Sequence, residues 1–92
     1  MQVKLIKFKN IFIPENRQRK EFDPQYIVDI ANSIERNGLI NLPVLTVNKG
    51  GDTATLVAGE CRLKGMEWLW NMSGTLKYSG ELIPEGMVPY QE

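Results

Sequence analysis

The hydrophobic period of the chain changes at one glycine, Gly59, and this change constrains the fold more than any other feature. Residues 53–58 are β-branched or small and apolar, which is typical of a buried strand. Beyond the glycine the apolar residues recur with a helical period, at Leu63, Met66, Leu69 and Trp70. A strand that turns directly into a helix directs the unpaired N–H groups of the first helical turn, and the positive end of the helix dipole, at whatever lies above the turn.

Charged side chains flank this predicted turn. Arg62 and Lys64 add two positive charges, so the turn suits an anion such as a phosphate chain, and Glu60 adds a carboxylate that can hold a metal ion or a water molecule. The same residues also fit a structural interpretation, in which Gly59 forms a tight turn, Glu60 interacts with the helix dipole and the cations are solvated. The pattern by itself leaves both interpretations open.

Composition limits the classes of function. We expect one small domain over residues 1–92, with its core at about 2–90, because 92 residues are too few for two cores. The 11 basic and 11 acidic side chains balance, so any nucleic-acid contact must come from a local patch. With no histidine and one cysteine, the chain offers no zinc or haem site, no Ser–His or Cys–His catalysis and no internal disulfide.

The hydropathy pattern gives no sign of a membrane span. No apolar run approaches the roughly 18 residues that a spanning helix needs, and residues 1–9 alternate instead of forming an apolar signal segment. We therefore expect no membrane partner and, by default, a cytoplasmic location.

The first half of the chain predicts a strand, a basic loop and a helix. Residues 3–8 alternate with the period of a strand, and residues 11–13 continue or re-enter the sheet until Pro14 stops them. Residues 16–20 are polar and basic, which usually indicates a solvated face; the alternative is that their two guanidinium groups reach a phosphate. A helix from Asp23-Pro24 to about Arg36 then carries an apolar core-facing stripe, made of Ile27, Ile30, Ala31 and Ile34.

The second half predicts a hairpin, a second helix and closing strands. We expect strands at 43–47 and 53–58 around a glycine-rich turn, and a helix from Glu60 to about Asn71. Trp68 and Trp70 fall on different faces of that helix, so we expect one of them in the core. Further strand segments follow at 75–78 and, with an enlarged loop, at 82–90. The fold class predicted is α+β, a small mixed β-sheet packed with two main helices.

The order of these pieces resembles a known family. Residues 58–65, A-G-E-C-R-L-K-G, resemble the G-E-R-R-x-R-A box of the ParB N-terminal domain of the ParB/sulfiredoxin superfamily, with Cys61, Lys64 and Gly65 replacing an arginine, an arginine and the alanine. Residues 38–47 resemble its G-L-I-x-P-I-x-V segment with one extra residue, Leu42. A compact version of its N-x-x-x-R-x-x-F-D segment is formed by Asn16, Arg19, Phe22 and Asp23. The chain is similar to a phage-type, plasmid-type or truncated copy.

The resemblance implies a site. In that family the domain binds CTP with Mg²⁺, and the nucleotide closes a clamp between two protomers. The implied nucleotide-binding residues are Gly59, Glu60, Cys61, Arg62, Lys64, Arg19 and Asn16. Glu60 would lie near the Mg²⁺, directly or through water, and is the candidate catalytic residue. The candidate nucleic-acid residues are Arg17, Arg19 and Lys20.

The resemblance also implies partners and leaves alternatives open. It implies a module for DNA partition, transcriptional regulation or DNA modification that reaches DNA through a larger assembly, since full ParB proteins follow this domain with a helix carrying E-N-x-Q-R, a helix-turn-helix and a dimerisation domain. CTP is favoured and ATP is the second choice. Catalysis stays open, because the E-N-x-Q-R helix supplies part of the family's machinery. Alternatives are a stand-alone serine-kinase-like phosphotransferase, a sulfiredoxin-like reductase using Cys61, and a non-catalytic adaptor.

Overall fold

Within residues 3–14 and 23–92, the residues that the computed structural model describes, the chain forms two α-helices and seven short strands. The helices are α1 (Pro24–Asn37) and α2 (Glu60–Asn71). The strands are β1 (Lys4–Lys7), β2 (Ile11–Phe12), β3 (Val44–Val47), β4 (Ala54–Ala58), β5 (Leu76–Tyr78), β6 (Glu81–Ile83) and β7 (Met87–Tyr90). This mixture confirms the predicted α+β class with two main helices.

Both ends of α1 are set by the residues that the sequence indicated. The Asp23 carboxylate accepts a hydrogen bond from the backbone N–H of Gln25 at 2.9 Å, and Pro24 occupies the start of the helix, where no N–H is needed. Gly38 ends the helix with φ of +78°, a conformation that costs glycine little. The observed helix is therefore one residue longer than the predicted one, which ended at Arg36.

The strands form three separately paired sets, which backbone hydrogen bonds connect to the rest of the fold. β1 pairs antiparallel with β7, while β4 lies between β2, to which it is parallel, and β3, to which it is antiparallel. The backbone N–H of Leu45 donates to the carbonyl of Gln91 at 2.8 Å, and this bond joins the chain after β7 to β3. The β5–β6 hairpin is joined to the end of α1, where the N–H of Leu39 donates to the carbonyl of Lys77 at 2.7 Å.

The core lies between the helices and the strands. The predicted apolar stripe of α1 is buried at Ile27, Ala31 and Ile34, with Ala31 fully enclosed, and α2 contributes an equally buried face. Ile30, predicted in the same stripe, is only half-buried and packs against the core from its edge. The buried helix residues are Ile27, Ala31, Ile34, Leu63, Met66 and Leu69. They pack with buried side chains of the strands, such as Leu45, Leu56 and Val88, and burial of this shared core is the main favourable term in folding.

Two sequence expectations need correction. Trp68 and Trp70 are both half-buried and pack against the core from outside, so the expectation that one of them lies within it was wrong. Trp70 instead makes an edge-to-face contact with Phe8, with ring centroids 5.6 Å apart. Residues 82–90 form two strands with different partners, β6 with β5 and β7 with β1, because the turn before Met87 redirects the chain.

The two helices touch most closely at Gly65. A Cβ atom added there would lie 2.6 Å from Cγ2 of Ile30, well inside van der Waals contact. Further along, Ile27 shares a groove with Lys64 and Trp68. The absence of a side chain at Gly65 therefore sets the spacing of α1 from α2.

Replacing Gly65 by alanine tests this contact. We expect Gly65→Ala to lower the free energy of unfolding by up to about 2 kcal/mol, because an overpacking cost of about 1–3 kcal/mol is offset by a helix-propensity gain of about 1 kcal/mol. Ile30→Leu removes the clashing Cγ2 branch, so the double variant should lose less than the sum of the single variants. Urea denaturation measures all three, and a Gly65→Ala protein more stable than wild type would contradict the contact.

Candidate functional site

The turn between β4 and α2 adopts the conformation that the sequence indicated. Gly59 has φ of +103° and ψ of +27°, in the left-handed region, and α2 begins at the next residue. A Cβ atom at Gly59 would lie 3.0 Å from Cα of Pro43, so the loop before β3 packs directly on the turn. Both the backbone conformation and this close approach require glycine.

Arg62 lies over the turn. Its Nη1 atom is 3.9 Å from the position that a Cβ of Gly59 would occupy, so the guanidinium group folds back from the first turn of α2 toward the glycine. Glu60 and Cys61, like Arg62, are half-buried, and Cys61 is a free thiol. The first turn of α2 therefore presents a cation, a carboxylate and a thiol around one glycine, at the positive end of a 12-residue helix.

Two clefts meet at this turn. The turn cleft, with a volume of about 290 Å³, is lined by residues 56–62. The helix cleft, also of about 290 Å³, is lined by residues 38–41, by Cys61 and Arg62, and by one face of α1, namely Tyr26, Ile30, Ser33 and Ile34. Cys61 and Arg62 are the residues that the two clefts share.

The loop between α1 and β3 is fixed at both ends. Leu39 is buried and hydrogen-bonded to Lys77, while Pro43 is buried and its carbonyl accepts a bond from the N–H of Gln91 at 3.0 Å. The extra residue, Leu42, packs against the core, and Ile40 between the anchors is 73% exposed at the edge of the helix cleft. The insertion is therefore absorbed by turning Leu42 inward.

The structure brings together four of the predicted site residues. Gly59, Glu60, Cys61 and Arg62 all line the turn cleft. Lys64 lies elsewhere on α2, in a groove with Ile27 and Trp68, and lines neither cleft. The remaining predicted residues fall outside the described ranges, and these are Asn16, Arg17, Arg19 and Lys20.

Sequence reasoning missed the contribution of α1 to the site. Tyr26, Ile30 and Ser33 line the helix cleft, and their spacing of four and three residues places them on one helical face beside the core stripe. Tyr26 is 52% exposed, which is high for a large aromatic side chain. This spacing was visible in the sequence, but nothing there showed that the face borders the Gly59 turn.

The donors for a metal ion are few. Residues 3–14 and 23–92 contain no group of three or more Asp, Glu, Cys or His side chains that could hold one. Glu60 supplies a single carboxylate at the turn, which fits Mg²⁺ carried by phosphates, since Mg²⁺ binds through one or two carboxylates together with substrate phosphates and water.

Neither described helix has the length and apolar character needed to cross a membrane.

The fold is similar to that of two solved ParB structures. Over 99% of this chain, the fold matches a crystal structure of the C-terminally truncated ParB from Caulobacter crescentus complexed with CTP-gamma-S, with a TM-score of 0.69 and 15% identity. A second structure of the truncated Caulobacter protein, complexed to the centromeric parS site, matches over 96% of this chain with a TM-score of 0.66 and 17% identity. The chain spans 43% and 38% of those two chains.

The family follows from the sequence itself. The model of the ParB N-terminal domain matches residues 1–72, which is most of the chain and includes the Gly59 turn and all of α2. The chain belongs to the ParB N-terminal domain family. A comparison with curated proteins finds no match.

Two glycine substitutions test the geometry of the turn. Gly59 and Gly50 both have positive φ, but a Cβ at Gly50 would meet no atom within 4 Å. Alanine at either position incurs backbone strain of about 1–2 kcal/mol. We expect Gly59→Ala to lose a further 1–3 kcal/mol or so of unfolding free energy because of Pro43, as measured by urea denaturation. Equal losses for the two variants would show that the loop does not press on the turn.

Proposed function

We propose that this domain binds a nucleoside triphosphate together with Mg²⁺, CTP foremost, as the nucleotide-binding module of a ParB-type protein that serves DNA partition, transcriptional regulation or DNA modification. The single observation that carries the proposal is the Gly59 turn with Arg62 folded over it, in a chain of the ParB N-terminal domain family. CTP is favoured because a protein of the same fold has been crystallised with CTP-gamma-S.

The phosphate chain would lie in the turn cleft. The backbone N–H groups in the first turn of α2 have no hydrogen-bond acceptor within the helix. Together with the positive end of the helix dipole, they favour a bound anion. Arg62 offers a planar group with several donors, which suits phosphate oxygens. Because Gly59 has no side chain, a phosphate group could approach its backbone closely. Cys61 at the shared border would line the site, and Lys64 could add charge only by extending from its separate groove.

The metal ion would sit on the phosphates. Glu60 begins α2 at the turn and would hold Mg²⁺ directly or through a water molecule. The ion would neutralise charge on the phosphate oxygens, so Glu60 and a triphosphate would not repel each other. Glu60 is also the carboxylate at the turn that could orient a water molecule for hydrolysis, although binding is the activity proposed.

The nucleoside would extend into the helix cleft, which shares Cys61 and Arg62 with the turn cleft. The combined space suits a ligand of nucleotide size, given that small-molecule sites usually measure about 300–1,000 Å³. Arg19 and Asn16, from the loop before α1, would complete the site.

Partners beyond the nucleotide follow from the family. We propose that DNA is reached through a larger assembly, because the similar Caulobacter structure contains the centromeric parS site and is more than twice as long as this chain. Arg17, Arg19 and Lys20 form the local basic patch proposed for DNA in this chain, whose charges otherwise balance. Nucleotide-dependent pairing of two protomers and a cytoplasmic location complete the proposal.

Thermal unfolding with CTP, ATP, GTP or UTP plus Mg²⁺ tests the proposal. A ligand at about a hundred times its dissociation constant adds roughly 2.7 kcal/mol, which should raise the Tm of a domain of this size by about 10 °C or more. We expect the largest shift with CTP and its loss in Arg62→Ala, because the guanidinium group would hold the phosphates.

Arg36→Ala is the matched control. Arg36 is an exposed arginine in the last turn of α1 that lines neither cleft, so its variant should keep the full CTP shift. A shift confined to ATP would instead support the phosphotransferase or the sulfiredoxin-like reductase. A folded chain that shifts with no nucleotide would contradict nucleotide binding.

A further inference from the structure

The aromatic ring of Tyr26 is exposed on the wall of the helix cleft. Tyr26 is 52% exposed, and it is the one aromatic side chain among the described residues that line this cleft. The other lining side chains on α1 are aliphatic or small, namely Ile30, Ser33 and Ile34. The core does not need the ring, since the buried stripe of α1 is formed by other residues.

Tyr26 lines only one of the two clefts that Arg62 borders. The lining of the helix cleft includes Tyr26, Cys61 and Arg62, whereas the turn cleft is lined by residues 56–62. Tyr26 lies about one helical turn before Ile30, whose side chain meets Gly65 and lines the same cleft. Tyr26 therefore borders a part of the site that lies outside the turn cleft.

This arrangement selects the kind of ligand that can touch both Tyr26 and the Gly59 turn. A phosphate group held at the Gly59 turn lies in the turn cleft, which Tyr26 does not line. A molecule with a phosphate chain at one end and a flat ring at the other can contact both, with a sugar between them. Stacking of a base on an aromatic side chain is worth about 1–3 kcal/mol and tolerates different bases, because every base has a flat π-face.

We propose that Tyr26 is a ligand-contacting residue of this site and that the nucleobase stacks on its ring while the phosphates lie at the Gly59 turn. The assignment rests on the proposed nucleotide binding and deepens it, since it places the base at the α1 end of the helix cleft. Stacking raises affinity for any nucleotide, so Tyr26 contributes to binding strength and the choice among bases comes from polar groups elsewhere in the cleft.

Titration calorimetry with two probes tests the assignment. The probes are CTP and inorganic triphosphate, each with Mg²⁺, and the second probe has the phosphate chain without a base. We expect Tyr26→Ala to weaken CTP binding by about 5- to 150-fold and to leave triphosphate binding unchanged. Tyr26→Phe, which keeps the flat ring and removes the hydroxyl group, should bind CTP as wild type does. Arg62→Ala should weaken both probes, because they share the phosphate chain.

Leu82→Ala is the surface control. Leu82 is 63% exposed on β6 and lines neither cleft, so its loss should change neither affinity. The assignment is overturned if Tyr26→Ala binds CTP like wild type, or if it weakens triphosphate as much as CTP. A wild-type chain that binds no nucleotide more tightly than inorganic triphosphate would also overturn the assignment. If wild type binds neither probe, the proposed nucleotide binding itself has failed and the assignment to Tyr26 falls with it.

Discussion

The close approach of α1 to α2 at Gly65 is the contact on which the rest of the arrangement depends. A side chain at this position would meet Ile30 at 2.6 Å, so the glycine lets the core stripe of α1 reach the buried face of α2. The same contact fixes the distance between the outer face of α1 and the first turn of α2. The width of the helix cleft is thus set by the packing on Gly65 of Ile30, a side chain that also lines the cleft.

A second glycine contact holds the other side of the site. Pro43 presses on Gly59, and the loop before it is anchored by a buried leucine at one end and by its bond to Gln91 at the other. The turn that presents the start of α2 is therefore supported by backbone from β3 and from the chain after β7. A phosphate site built on such a turn is preorganised, because little conformational freedom remains to be lost when a ligand binds.

The three residues that depart from the family box differ in what they contact. The residue at the alanine position of the box is Gly65, where even a methyl group would clash with Ile30. Cys61, at an arginine position, borders both clefts and leaves Arg62 as the cation folded over the turn. Lys64, at the other arginine position, lies in a different groove. The positive charge of the box is thus more concentrated on one side chain than the family pattern suggests.

The sequence by itself determined the elements and the turn, because those depend on local chemistry. Four features each follow from residues that are close together in the chain. They are the helix cap at Asp23, the end of α1 at Gly38, the hairpin before β4 and the change from strand to helix at Gly59. Tertiary structure alone decided that α1 supplies a wall of the site, that both tryptophans stay at the edge of the core and that residues 82–90 divide between two partners. Such outcomes depend on contacts between residues far apart in the chain, whose geometry is set by packing and leaves no periodic trace in the sequence.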